Sequence, residues 1–172
     1  MDFIQLAKSR KSVRFFKKDD ISNNLIMKLI EAAQAAPSAG NCQPWHFYIV
    51  KNKDLIRRIR KEACKQDFIE NAPVLLIVCA DIARSESRYK GRGKGLYYIQ
   101  DTAAAIQNIL LCAHNLGIGA CWCGHFDEKL LTNIMNLQDG FRPMAVIPMG
   151  YPKKDSPNTE RRNIEEIFTF VD

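Results

Sequence analysis

The sequence predicts an α+β fold, a single domain over residues 1–172, on three observations. Apolar residues recur at helical spacing in several segments with plausible caps. The run PVLLIVCAD (73–81) is continuously apolar and reads as a central strand covered on both faces. The strand-like segments fall at intervals too irregular for a strict βαβ array.

The elements follow in order. Residues 2–10 read as a short helix with Phe3, Leu6 and Ala7 on one side. A second helix runs from Ser22, an N-cap, to Ala36, and Pro37 stops it. HFYIVK (46–51) is a strand, and KDLIRRIRKEAC (53–64) is a surface helix with a basic outer face. After the strand 73–81, ARSESRYKGRGKG (83–95) is polar and glycine-rich and predicts a mobile loop. A long helix spans Leu96 to Leu116, apolar around nearly its whole circumference, and Gly117 and Gly119 end it. A chain this small buries such a helix most readily against a second copy of itself. ACWCG (120–124) is a strand or extended turn, and DEKLLTNIMN (127–136) is a helix capped by Asp127. PMAVIPMG (143–150) is a strand, and NIEEIFTFV closes the chain with a helical turn and an extended tail.

The composition, 47% hydrophobic and 26% charged, suits one globular domain. No apolar run approaches the roughly 18 residues of a membrane span. The start, MDFIQLAKSR, lacks the order of regions in a signal peptide, so a cytoplasmic protein is expected. In that compartment the six cysteines are reduced thiols rather than a disulfide framework. The net charge of +6 is a modest excess and serves a phosphorylated small molecule as well as a nucleic acid. No exposed aromatics interleave the basic stretches, so nucleic acid is not expected as a partner, and without a long apolar run neither is a membrane.

Four stretches carry candidate chemistry, each beside a plainer reading. SRKSVR (9–14) puts cations at a helix C-terminus, where they gain from the macrodipole. The same residues supply forked donors and a hydroxyl for a phosphate, which at that helix end needs side chains rather than backbone amides. PSAGNCQPWHF (37–47) is either a helix-to-strand connection or a loop presenting donors to a planar heterocycle. ACWCGHF (120–126) alternates Cys121, Cys123 and His125 on one strand face, but the spacing is no standard zinc motif and no second pair supports it. Core packing is the better reading there, and no metal is expected. TERRNIEEIF (159–168) sets two arginines before a short acidic turn, as surface charge or as an anion contact. GRGKG (91–95) lacks a phosphate-loop pattern, and His46 and His114 have no sequence partner suggesting catalysis.

In order along the chain, SRKSVRFF, APSAGNCQPWHF, QDTAAAIQNILLCAHNLGIGACWCGHF and ERRNIEEIF resemble the FMN-dependent nitroreductase family. The resemblance covers essentially the whole chain. It implies a three-layer sandwich around a mixed, mainly antiparallel sheet, in an intertwined homodimer with FMN at the subunit interface. It implies that Arg10 and Ser12, with the backbone of Lys11, hold the FMN phosphate, and that Arg14 sits at the pyrimidine edge of the flavin. Pro37, Ser38, Gly40, Asn41 and Gln43 match the loop approaching the flavin from the other subunit. Cys123 and Gly124 match the segment facing the reactive ring nitrogen, and Arg161, with Arg162 as a second, matches a C-terminal phosphate contact. Two positions depart from common family patterns: Asn163 stands where many relatives have proline, and Cys123 where an apolar residue is usual.

The function implied is hydride transfer from NADH or NADPH, through FMN, to nitroaromatics, quinones or other flat electrophiles by a ping-pong scheme. No side chain acts as acid or base in that scheme. The alternatives are dehalogenation, azoline oxidation or flavin cleavage on the same fold, or a flavin-storage or regulatory protein.

Overall fold

The computed structural model describes residues 2–157 and 159–171. Ten elements run in the order α1 (Phe3–Ser9), α2 (Asn23–Gln34), β1 (Trp45–Val50), α3 (Lys53–Arg58), β2 (Val74–Asp81), α4 (Ile82–Arg92), α5 (Tyr98–Asn115), β3 (Gly119–Ala120), α6 (Glu128–Met135) and β4 (Phe141–Gly150). Side-chain caps start five of the helices. Asp2, Ser22, Asn52, Asp81 and Asp127 each accept from an N–H three residues on.

The sheet has the order β1-β2-β4-β3 and is antiparallel at every strand pairing. A parallel component enters through an isolated bridge, Ser12 with Ala120. β2 lies inside the sheet and explains its own composition. Leu75, Ile77 and Cys79 enter one core with Ile56, Ile59 and Leu131, while Val74, Leu76 and Val78 enter a second with Leu29, Ile106 and Ile109. The result is three layers, with α2 and α5 on one face and α3 and α6 on the other. Full burial of one such side chain stabilises the fold by about 1.5–3 kcal/mol.

One expectation changes. The stretch 83–95 is not a loop: α4 covers Ile82–Arg92 and a π-helical turn, Gly93–Tyr97, leads into α5. Polar composition hid an exposed helix that an N-cap starts and a kink at Lys90 (φ 46°) bends. ACWCG forms little strand: β3 is only Gly119–Ala120, followed by a bridge from Cys123 to Val146. The long helix is not covered all round within one chain, since Ile99 and Gln107 are exposed and Ala103 and Leu111 are half-buried. Gly117 ends it at φ 72°, and the Ile118 N–H returns to the Ala113 carbonyl at 2.8 Å.

Candidate functional site

α1 ends at Ser9, and the chain turns extended at Arg10. The Val13 N–H donates to the Ala120 carbonyl at 3.0 Å, so SRKSVR becomes an edge segment lying along β3. Gly119 is required there, because a β-carbon would stand 2.7 Å from Val13 Cγ1. This route places Arg10, Lys11, Ser12 and Arg14 around one cavity of about 760 Å³, closed on its far side by Thr159 and Arg161. Residues from opposite ends of the sequence meet there.

The electrostatics of the cavity favour an anion. Lys8, Arg10, Lys11, Arg14 and Arg161 contribute five positive charges, and no carboxylate among the described residues lines it. Among the described residues none of the five is in an ion pair. A forked guanidinium beside a hydroxyl is the donor set that holds a phosphate. The volume lies within the 300–1,000 Å³ usual for ligand pockets. Arg162 behaves differently: it pairs with Glu166 at 3.3 Å and does not line the cavity.

A neighbouring cavity of about 640 Å³ shares Lys8, Arg10 and Lys11 and is floored by His114 and Ile118. His114 Nε2 lies 2.9 Å from the Ser9 hydroxyl, tying α1 to the end of α5. Burial, then the charges of Arg10 and Lys11, hold the His114 pKa below its usual value.

Cys121 and Cys123 point into the core beneath Arg14, each 3% exposed. The neighbouring Cys123 thiol, then the charges and donors of Arg14 and Ser12, hold the Cys121 pKa below its usual value against the pull of burial. Cys123 moves the opposite way as the proton's owner. Cys64 and Cys79, buried without such partners, are pushed up to about 12. All six cysteines are free, and no cluster of three or more metal-ligating side chains exists among the described residues. Gly124 is exposed, and a β-carbon there would meet only the Trp122 ring nitrogen, at 3.8 Å.

The loop 37–43 is elsewhere. It folds into a 3-10 turn, Ala39–Asn41, against the start of α5, where the Ala39 N–H donates to Asp101 at 3.0 Å. Asp101 and His114 mark the two regions on α5; they are thirteen residues apart, about 20 Å at 1.5 Å per residue. β4 gives a second ruler. Ala80, paired with Trp45 beside the loop, sits opposite Arg142, while Ala120 beside Ser12 sits opposite Met149, about 24 Å further along. One chain thus brings Arg10, Lys11, Ser12, Arg14 and Arg161 together, and holds Ser38, Gly40, Asn41 and Gln43 at the other end of the sheet.

Sequence reasoning missed Thr159 in the cavity wall, and Asp101, Arg84 and Arg88 around the loop. Asp101 carried a signal: it is the one acid on an otherwise buried helix, and it is 6% exposed. Arg84 and Arg88 carried none, because their segment read as a loop.

An α+β sandwich with a cationic cradle at a sheet edge and a hydrogen-bonding loop at the far end defines the class. The profile of the Nitroreductase family matches residues 7–66 and 60–151, and the chain belongs to that family. A provisionally named NADH dehydrogenase/NAD(P)H nitroreductase from Methanothermobacter thermautotrophicus is 34% identical over 163 residues, spanning 92% of this chain and 81% of the relative. An iodotyrosine deiodinase from Thermotoga neapolitana is 27% identical, over 92% of this chain and 93% of its own length. The crystal structure of a nitroreductase family protein from Clostridium difficile 630 superimposes with a TM-score of 0.86 at 28% identity, covering 99% of this chain and 98% of that one. No helix among the described residues is long and apolar enough to cross a membrane.

Proposed function

We propose that the protein is a homodimeric FMN oxidoreductase that takes reducing equivalents from NADH or NADPH and delivers them to a flat electrophilic small molecule, a nitroaromatic or quinone. The observation that carries this reading is the carboxylate-free cradle of Arg10, Lys11, Ser12, Arg14 and Arg161. FMN, when bound, supplies the hydride chemistry between nicotinamide and acceptor. The chain supplies binding and electrostatics. Arg10, Ser12 and Arg161 hold the phosphate, with Lys11 beside them and Arg162 in reserve behind its Glu166 partner. Arg14 brings positive charge to the ring edge, where negative charge grows on reduction. Cys123 and Gly124 border the ring along the strip 120–124.

A second copy of the chain is part of the reading. Two chains packed antiparallel along α5 would set the loop 37–43 of one against the cradle of the other, closing the 20 Å gap that one chain leaves. Two surfaces support this. α5 presents Ile99, Ala103 and Leu111 on its uncovered side. The tail exposes Ile164, Ile167, Phe168, Phe170 and Val171, each at least 50% accessible, an arrangement stable only when covered. The cytoplasm suits six free thiols.

The test is the colour of the purified protein and its sedimentation. A yellow dimer whose released flavin is FMN, and which NAD(P)H bleaches, is expected. A colourless protein that refuses added FMN, or a monodisperse monomer, defeats the reading. The similarity to iodotyrosine deiodinases favours dehalogenation as a second reaction, which halide release from iodotyrosine would reveal.

A further inference from the structure

The loop 38–43 holds a backbone that should not persist unaided. Gly40, Asn41 and Gln43 have φ of 52°, 56° and 48°, three left-handed residues within four positions, two of them with side chains. Such conformations survive where the surroundings over-determine them. The surroundings here are α4. Arg88 Nη1 donates to the Gly40 carbonyl at 2.7 Å, and Arg84 Nε donates to the Cys42 carbonyl at 3.0 Å. The two arginines are one helical turn apart and share a face. From the other side, Asp101 accepts from the Ala39 N–H, and the Ser38 hydroxyl accepts from the Gln43 N–H at 2.9 Å.

α4 is itself braced for this. The Asp81 N–H donates to the Pro44 carbonyl at 2.8 Å, and the Asp81 side chain caps α4 at Arg84, so the helix starts level with the end of the loop. At its other end the chain folds back over the kink at Lys90. Gly93 packs so closely on the Ser85 carbonyl that a β-carbon would overlap it, and Tyr89 and Tyr97 meet edge to face at 5.0 Å.

We propose that Arg84 and Arg88 are positioning residues: they fix the carbonyls of Cys42 and Gly40, and so aim the loop at the flavin ring. They touch no cofactor themselves. This rests on the flavin reading, which makes the loop a ring contact. The arginines work by pre-organisation. A loop already held in the binding geometry loses little freedom when the ring arrives, while a released loop must be ordered at that moment.

The experiment uses the whole chain with Arg84→Ala, Arg88→Ala and Arg88→Lys. Hydrogen–deuterium exchange of the flavin-free protein tests the clamp without any cofactor. Faster exchange over residues 38–43, with the melting temperature nearly unchanged because both arginines are exposed, is expected. Fluorescence titration then compares FMN with riboflavin, which lacks the phosphate. Each alanine variant is expected to bind both flavins about tenfold more weakly, with lysine restoring part of the loss at position 88. Unchanged exchange over 38–43 overturns the clamp whatever the flavins do. Faster exchange with unchanged flavin affinity overturns the positioning role alone. A wild-type protein that binds neither flavin defeats the cofactor reading, and the positioning role with it.

Discussion

Replacing Arg10 with alanine separates phosphate recognition from ring recognition. Arg10 is half-buried, lines both adjoining cavities and has no described carboxylate partner, so its removal leaves no orphaned buried charge. The loss is therefore that of its contact with the ligand. A hydrogen bond to a charged group contributes about 1.5–3 kcal/mol, which is roughly a 10- to 150-fold change in affinity. Lys11, Arg14 and Arg161 remain, so FMN binding weakens without vanishing. Quenching of flavin fluorescence on titration with the flavin-free protein measures it. FMN affinity is expected to fall by that factor while riboflavin affinity stays level, the reverse of the equal losses expected at Arg84 and Arg88. A second readout needs no flavin: removing the Arg10 charge relieves one of the causes that depress His114, so its NMR titration moves up. Equal loss of FMN and riboflavin, or no loss of either, would refute the phosphate assignment.

Two further outcomes follow from the packing and the thiols. Gly93→Ala forces a β-carbon onto the Ser85 backbone and should cost about 1–3 kcal/mol in denaturant unfolding, with exchange rising first in residues 82–97; a neutral substitution would contradict the close packing. In the flavin-free protein the Cys121 thiol should deprotonate below the ordinary thiol range, seen as a step in ultraviolet thiolate absorbance that Cys121→Ser removes. Its folded pKa lies below the unfolded value of about 8.5, so the stability it contributes is present above that pH and is lost as pH falls through the lower folded value. A phosphate bound beside Arg10 and Ser12 should move the step upward, and a step that ignores added FMN would separate Cys121 from the cradle.

Much of the fold was legible because local rules and burial agree. β2 is apolar from Val74 to Ala80 since both faces are covered, and Ser22 and Asp127 cap the helices they precede. The segment 83–95 failed for the opposite reason. Nothing in its polar pattern favours a helix, and α4 exists through tertiary contacts: the Gly93 approach to Ser85 and the grip of two arginines on a loop some 45 residues earlier. Asp101 was visible as an acid in an apolar helix, yet its partner, the Ala39 N–H, was not.

The sequence by itself determined the α+β class, the central strand, the two cationic motifs and the resemblance to the family, because periodicity and short motifs are properties of neighbouring residues. Only the tertiary structure decided where those motifs stand. Ser12 pairs with Ala120, which brings SRKSVR to Arg161, while the loop 37–43 is carried to the far end of α5 by its bond to Asp101. Distances between residues far apart in sequence depend on how strands and helices are laid against one another, and no local pattern encodes them.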